Sequence, residues 1–122
     1  MAKKILVVDD EPQIVALLGS RLKTHGYNVV TAQTGAEALK KVKDEKPDLL
    51  VLDVMMPPPN GFQVCRTLKD DPEFKNIPIV LLTAKAAESD QFWGLESGAD
   101  AYVTKPYNPK ELLTQIQALL EK

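Results

Sequence analysis

Four apolar runs in this chain lead into polar groups of the kind that do chemistry. Ile5-Leu6-Val7-Val8 runs into Asp9 and Asp10, Leu49-Leu50-Val51-Leu52 ends at Asp53, Ile77 to Leu82 leads to Thr83, and Ala101-Tyr102-Val103 is followed by Thr104 and Lys105. Carboxylates brought together repel one another, and a hard divalent cation removes that cost. Carboxylate oxygens, a backbone carbonyl and waters suit Mg²⁺, which prefers octahedral oxygen ligation and keeps several waters. A nearby lysine pairs with a carboxylate or with a phosphate attached to it, and a threonine hydroxyl donates to a phosphoryl oxygen. An aspartate carboxylate is itself a phosphoryl-accepting nucleophile. The parts suit phosphoryl transfer, in which positioning and charge neutralisation do most of the catalysis. Singly, each has an ordinary reading: Asp9 or Asp10 as a helix N-cap, Asp53 as a cap on the loop after it, Thr83 as a turn hydroxyl, Lys105 as a solvated lysine. Those readings weaken when all four must hold at one edge and in this order. Glu11 reads as a first-turn acid favoured by the helix dipole.

Convergence requires that the runs be neighbouring parallel strands, and the remaining pattern supplies the crossovers. Pro12 suits the first turn of a helix whose face is marked by Ile14, Leu17, Leu18 and Leu22 and which stops at Gly26. Val29, Val30 and Ala32 form a second strand. Thr34 with Glu37 reads as a capping box, ahead of a stripe of Ala38, Leu39 and Val42. After Asp53 comes a proline-dense loop from Val54 to Asn60, then Gly61 and a third helix on Phe62, Val64, Cys65 and Leu68 that ends near Asp71-Pro72. Glu88 to Ser97 reads as a further helix with Gly98 as its C-cap, and Pro109 opens a last helix faced by Leu112, Leu113, Ile116, Leu119 and Leu120. Strands alternating with helices end to end imply an α/β fold, a parallel sheet with helices on both faces. In such sheets ligands bind at the C-terminal edge of the strands, where Asp53 stands.

The 122 residues fit one domain, 1–122, and 44% hydrophobic residues allow a real core. A net charge of −2 argues against a nucleic-acid surface and against a basic membrane-binding face. The single Cys65 excludes an intrachain disulfide framework and fits a reducing compartment. Only four apolar residues separate Lys4 from Asp9, too few for a signal peptide or a membrane span, so the expected location is cytoplasmic.

The marks Val7-Val8-Asp9-Asp10-Glu11, Asp53-Val54-Met55-Met56-Pro57 with Gly61, Thr83-Ala84, Gly98-Ala99-Asp100 and Lys105-Pro106 carry a resemblance. The chain resembles, over essentially its whole length, the receiver domain of two-component response regulators of the chemotaxis-regulator type. The resemblance implies a flavodoxin-like (βα)5 doubly wound sheet of strand order 2-1-3-4-5. It implies Asp53 as the phospho-acceptor, with Mg²⁺ bound by Asp10, Asp53 and the backbone carbonyl of Met55, and by Asp9 through water. Lys105 would contact the phosphoryl group, across a cis Lys105–Pro106 bond. Ala84 would keep the approach to Asp53 open. Thr83 and Tyr102 would form a switch, the hydroxyl moving to the phosphoryl group and the ring turning inward. The readout surface would be the fourth helix, fifth strand and fifth helix, carrying Trp93, Tyr102 and Tyr107. The implied donor is a histidine kinase or phosphotransfer protein, and the implied target a protein that the chain does not name.

The chain departs from the family pattern at Pro57-Pro58-Pro59, where an apolar residue commonly replaces the third proline. Ala101 stands where receivers of winged-helix transcription factors usually have Asp, and Gln115 and Gln117 where they often carry Arg. The ion pairs of that activated dimer are partly missing, so a monomer or weak homodimer is expected. Two other readings fit the residues less well. An aspartyl-nucleophile phosphohydrolase typically places a second Asp two residues after its nucleophile on the first strand; here Asp9 and Asp10 are adjacent and Asp53 has no such partner. A flavin or nucleotide carrier needs a Gly/Ser/Thr-rich phosphate loop after the first strand, where this chain has acids.

Overall fold

β-branched and leucine side chains in runs with no polar break form strands that bury both faces, and the central strands here do so. A computed structural model describes residues 2–83, 98–104 and 108–121. The strands are β1 (Lys4–Val8), β2 (Asn28–Ala32), β3 (Leu49–Asp53), β4 (Ile79–Thr83) and β5 (Ala101–Thr104). All neighbours pair in parallel, in the order β2-β1-β3-β4-β5. Every residue of β3 and β4 is buried, whereas in β2, at an edge, only Ala32 is buried. Four helices lie among the described residues: α1 (Pro12–Thr24), α2 (Gly35–Glu45), α3 (Gly61–Lys69) and α4 (Pro109–Leu120). The helix expected over Glu88 to Ser97, with Trp93, lies outside the described residues.

Strand alternation divides the core in two. Ile5, Val7, Leu49, Val51, Val80, Leu82 and Val103 pack with Leu18 and Leu22 of α1 and Leu112 and Ile116 of α4. Leu6, Val8, Leu50, Leu52, Ile79 and Leu81 pack with Ala38 and Val42 of α2 and Val64, Cys65 and Leu68 of α3. This is the doubly wound architecture that the alternation implies.

Several local expectations shift. The buried stripe of α1 is Val15, Leu18, Gly19 and Leu22, an i, i+3, i+4, i+7 set, while Leu17 is 53% exposed and Ile14 only half-buried. Periodicity alone offered two adjacent stripes. The one that is buried packs Leu18 and Leu22 against Ile5, Val7, Leu49 and Val51 of the sheet. Glu11 is the N-cap of α1, not a first-turn acid, since Pro12 occupies the first helical turn. At α2, Thr34 accepts from the Glu37 N–H at 3.0 Å, but the Glu37 carboxylate takes the N–H of Gln33, one residue earlier than a reciprocal box requires. The reciprocal capping box is instead at α3, between Asn60 and Gln63. β4 begins at Ile79, not Ile77. Pro78 has no N–H to give a ladder, and its carbonyl accepts the N–H of Leu50 at 3.0 Å ahead of the strand.

Candidate functional site

The register brings the polar residues together. Val8 pairs with Leu52, so Asp9 and Asp53 follow at the same level on adjacent strands; Asp53 pairs with Leu82, so Thr83 stands one residue further along β4. Asp9 is held there by its N–H bond to the Ala32 carbonyl at 3.2 Å. Asp9 and Asp53 are each 1% exposed and Thr83 is 2% exposed, while Asp10 is exposed. One carboxylate oxygen from each of Asp9, Asp10 and Asp53 lies within 4.8 Å of the others.

The loops after the two acidic strands turn in the same way. Asp9 Oδ1 accepts the N–H of Glu11 at 3.0 Å, and Asp53 Oδ1 faces the N–H of Met55 at 3.4 Å, each acid bonding two residues ahead. The second contact is long and weak. The N-cap of α1 is Glu11, so neither Asp9 nor Asp10 serves as that cap. Charges this close repel by roughly 1 kcal/mol per pair in water, and by several times more in a less polar surround. The donor set is all oxygen, which suits Mg²⁺ rather than a soft metal.

Thr83 supplies the second anomaly. Its Oγ1 is buried and has no hydrogen-bond partner among the described residues. A buried hydroxyl left unpaired costs about 1–3 kcal/mol, so a group that accepts from it would relieve that cost.

Glycine fixes the floor of the site. A Cβ on Gly61 would collide with the carbonyl oxygen of Asp53 and stand 2.7 Å from Val54 Cα. The first turn of α3 therefore rests on the backbone of the strand that ends in Asp53. Gly35 of α2 likewise meets Pro59, whose Cγ would lie 2.8 Å from an added Cβ, so the proline loop is seated on α2. The cis peptide bond among the described residues is Pro58–Pro59.

The placement of each expected residue can now be stated. Asp9, Asp10, Asp53 and Thr83 share the sheet edge. Met55 follows Asp53 with its side chain 64% exposed. Tyr102 is half-buried on β5 opposite Leu81 and packs on the α2/α3 side of the core. Ala84, Lys105, the Lys105–Pro106 bond and Tyr107 lie outside the described residues. A cleft of about 210 Å³ between α1 and α4 is lined by Leu18, Leu22, Arg21 and Lys110 among others, and by none of the acids. The acid cluster lies at the open sheet edge and not in that cleft. Sequence reasoning missed Lys69, whose ammonium bonds Asp100 Oδ2 at 2.7 Å; only a long-range contact reveals it.

A model of the response regulator receiver domain matches residues 5–117. The chain is 52% identical over its whole length to the alkaline phosphatase synthesis transcriptional regulatory protein PhoP of Bacillus subtilis, covering 50% of that protein. It is 44% identical to the DNA-binding response regulator MtrA of Mycolicibacterium smegmatis, covering 52% of it. The chain thus spans about half the length of the curated relatives it matches. Among solved structures, the BeF3-activated N-terminal receiver domain of Klebsiella pneumoniae RstA superposes with a TM-score of 0.89 at 34% identity, covering 98% of this chain and 99% of that one.

Proposed function

The chain belongs to the response regulator receiver domains of two-component systems, and we propose that it accepts a phosphoryl group on Asp53 from a phosphohistidine of a kinase or phosphotransfer protein. The observation that carries this reading is the meeting of the Asp9–Asp10–Asp53 cluster at one sheet edge with the buried Thr83 hydroxyl, which has no partner among the described residues. An Asp53 oxygen attacks phosphorus, the P–N bond to the donor imidazole breaks, and the nitrogen keeps the electron pair. Later attack by water on the acyl phosphate releases inorganic phosphate and restores the carboxylate. The chain thus catalyses its own phosphorylation and dephosphorylation and turns over no metabolite.

The acid cluster fits Mg²⁺, with Asp10, Asp53 and the Met55 carbonyl as ligands and Asp9 acting through water. When bound, the cation neutralises the carboxylates and the incoming phosphoryl oxygens. Thr83 donates its hydroxyl to a phosphoryl oxygen, which ends its isolation. Lys105 contacts the same group, and Ala84 leaves the approach clear. Tyr102 moves with Thr83, and the surface built from β5, the last helix and the 88–97 segment changes for a protein target. The phosphoryl group adds charge and acceptor oxygens, and it selects whichever arrangement binds them better.

Residues 1–122 act as one receiver unit that binds protein, not nucleic acid or membrane. Its location is cytoplasmic, and among the described residues no helix is long and apolar enough to cross a membrane. Ala101, Gln115 and Gln117 favour a monomer or a weak homodimer. The relatives named as transcriptional regulators are twice as long, so control of transcription would be the output of a further domain joined to a receiver of this kind. The phosphohydrolase reading is not favoured, since Met55 and not an acid stands two residues beyond Asp53.

Incubation with Mg²⁺ and acetyl phosphate tests the proposal by mass spectrometry. The expected product is a single acid-stable, base-labile phosphoryl adduct, absent from Asp53→Asn. No mass gain in wild type, or equal labelling of the variant, overturns it.

A further inference from the structure

We infer that Lys69 is a positioning residue: from the end of α3 it holds the start of β5 in register on β4, and so sets where Tyr102 and Thr104 stand relative to Asp53 and Thr83. The inference rests on the reading of Asp53 as acceptor, but its first readout does not.

The Lys69 ammonium has three donors and meets three acceptors: Asp100 Oδ2 at 2.7 Å, the Ile77 carbonyl at 2.9 Å and the Lys75 carbonyl at 3.1 Å. Its side chain is only 15% exposed. An exposed lysine ion pair contributes little, because a long side chain must be ordered for one screened contact. Here the stem is covered and every proton is used. The same Asp100 oxygen accepts the Ile79 N–H at 2.8 Å, and the Asp100 N–H donates to the Ile79 carbonyl at 3.0 Å. Asp100 therefore engages both backbone groups of the first residue of β4, one step before the ladder begins at Val80 and Ala101. Gly98, at φ +82°, sits against the lysine stem, where an added Cβ would be 3.3 Å from Lys69 Cγ.

The other end of α3 gives this anchor its consequence. Gly61 rests on the backbone of Asp53 and Val54. One nine-residue helix, roughly 13 Å long, thus touches the acceptor's strand at one end and the entrance of β5 at the other. β5 has only four residues, and its far end, Thr104, pairs with Thr83. So short a ladder has little of its own to hold its register against the switch hydroxyl.

Hydrogen exchange on the full chain is the first test. Lys69→Met should speed exchange of the Ala101–Thr104 amides by about ten- to a hundredfold, the worth of a charged hydrogen bond, and leave β1 and β3 protected as in wild type. Phosphorylation by acetyl phosphate should fall about tenfold or more through misplacement. Mg²⁺ affinity should stay within about twofold, because the acids stand at the ends of β1 and β3. Lys69→Arg, which keeps charge and donors, should restore both readouts, and Asp100→Asn should reproduce the loss in part. Wild-type exchange at β5, equal loss of protection in β1 and β3, or a parallel fall in Mg²⁺ affinity would each overturn the inference. If wild type takes no phosphoryl group, the reading of Asp53 fails, and exchange at β5 still decides the role of Lys69.

Discussion

Thr83 and Gly61 show how single residues trade stability for chemistry. The Thr83 hydroxyl is buried with no partner among the described residues, so Thr83→Val, which keeps the shape and removes the polar atom, should hold or raise stability by about 1 kcal/mol. The same variant should lose the conformational response to phosphorylation. Urea unfolding and amide chemical shifts before and after acetyl phosphate check the two halves. Gly61→Ala places a methyl group on the Asp53 carbonyl. It should cost about 1–3 kcal/mol by overpacking and, if Asp53 accepts the phosphoryl group as proposed, slow phosphorylation, because relief of the clash moves the Asp53 backbone. A variant as stable and as fast as wild type would contradict that packing.

At the scale of elements, α1 decides between two readings of one apolar pattern. Leu17 is exposed and Leu18 buried. Leu18→Ala should therefore cost about 2–5 kcal/mol and Leu17→Ala less than about 0.5 kcal/mol in chemical denaturation. The sequence reading placed both on the core face. Apolar residues at 14, 15, 17, 18 and 22 satisfy more than one helical stripe, and only the packing of Leu18 and Leu22 against the sheet separates them. Strands were more legible, because β1, β3 and β4 are apolar runs with punctuation at both ends. The caps were partly legible: Thr34 is an N-cap as its sequence signal says, while the equally readable Asn60-x-x-Gln63 box went unread. The segment 88–97 and the residues around Lys105 lie outside the described residues, and the surface expected there rests on the resemblance alone.

The whole molecule is a device for gathering one edge. Asp10 and Asp53 come from the ends of β1 and β3, 43 residues apart in sequence, and folding places them side by side at an electrostatic cost. Mg²⁺ that binds only the folded cluster should raise stability by RT ln(1 + [L]/Kd), about 2.7 kcal/mol at a hundred times Kd. Asp10→Ala should be no less stable than wild type without the cation and gain far less with it. Thermal unfolding across a Mg²⁺ series measures this, and equal stabilisation of both proteins would remove Asp10 from the ligand set.

What the sequence determined by itself is the order of strands and helices and the identity of the residues at the strand ends. These follow from local patterns of apolar runs, glycine, proline and capping side chains. The strand order and the receiver resemblance needed the motifs taken together, since no single one carries them. Only the tertiary structure decided which face of α1 is buried, that Thr83 has no hydrogen-bond partner among the described residues, that Gly61 bears on the Asp53 backbone, and that Lys69 reaches Asp100. Each of these is a contact between segments distant in the chain, or the lack of one, and local periodicity holds no record of it.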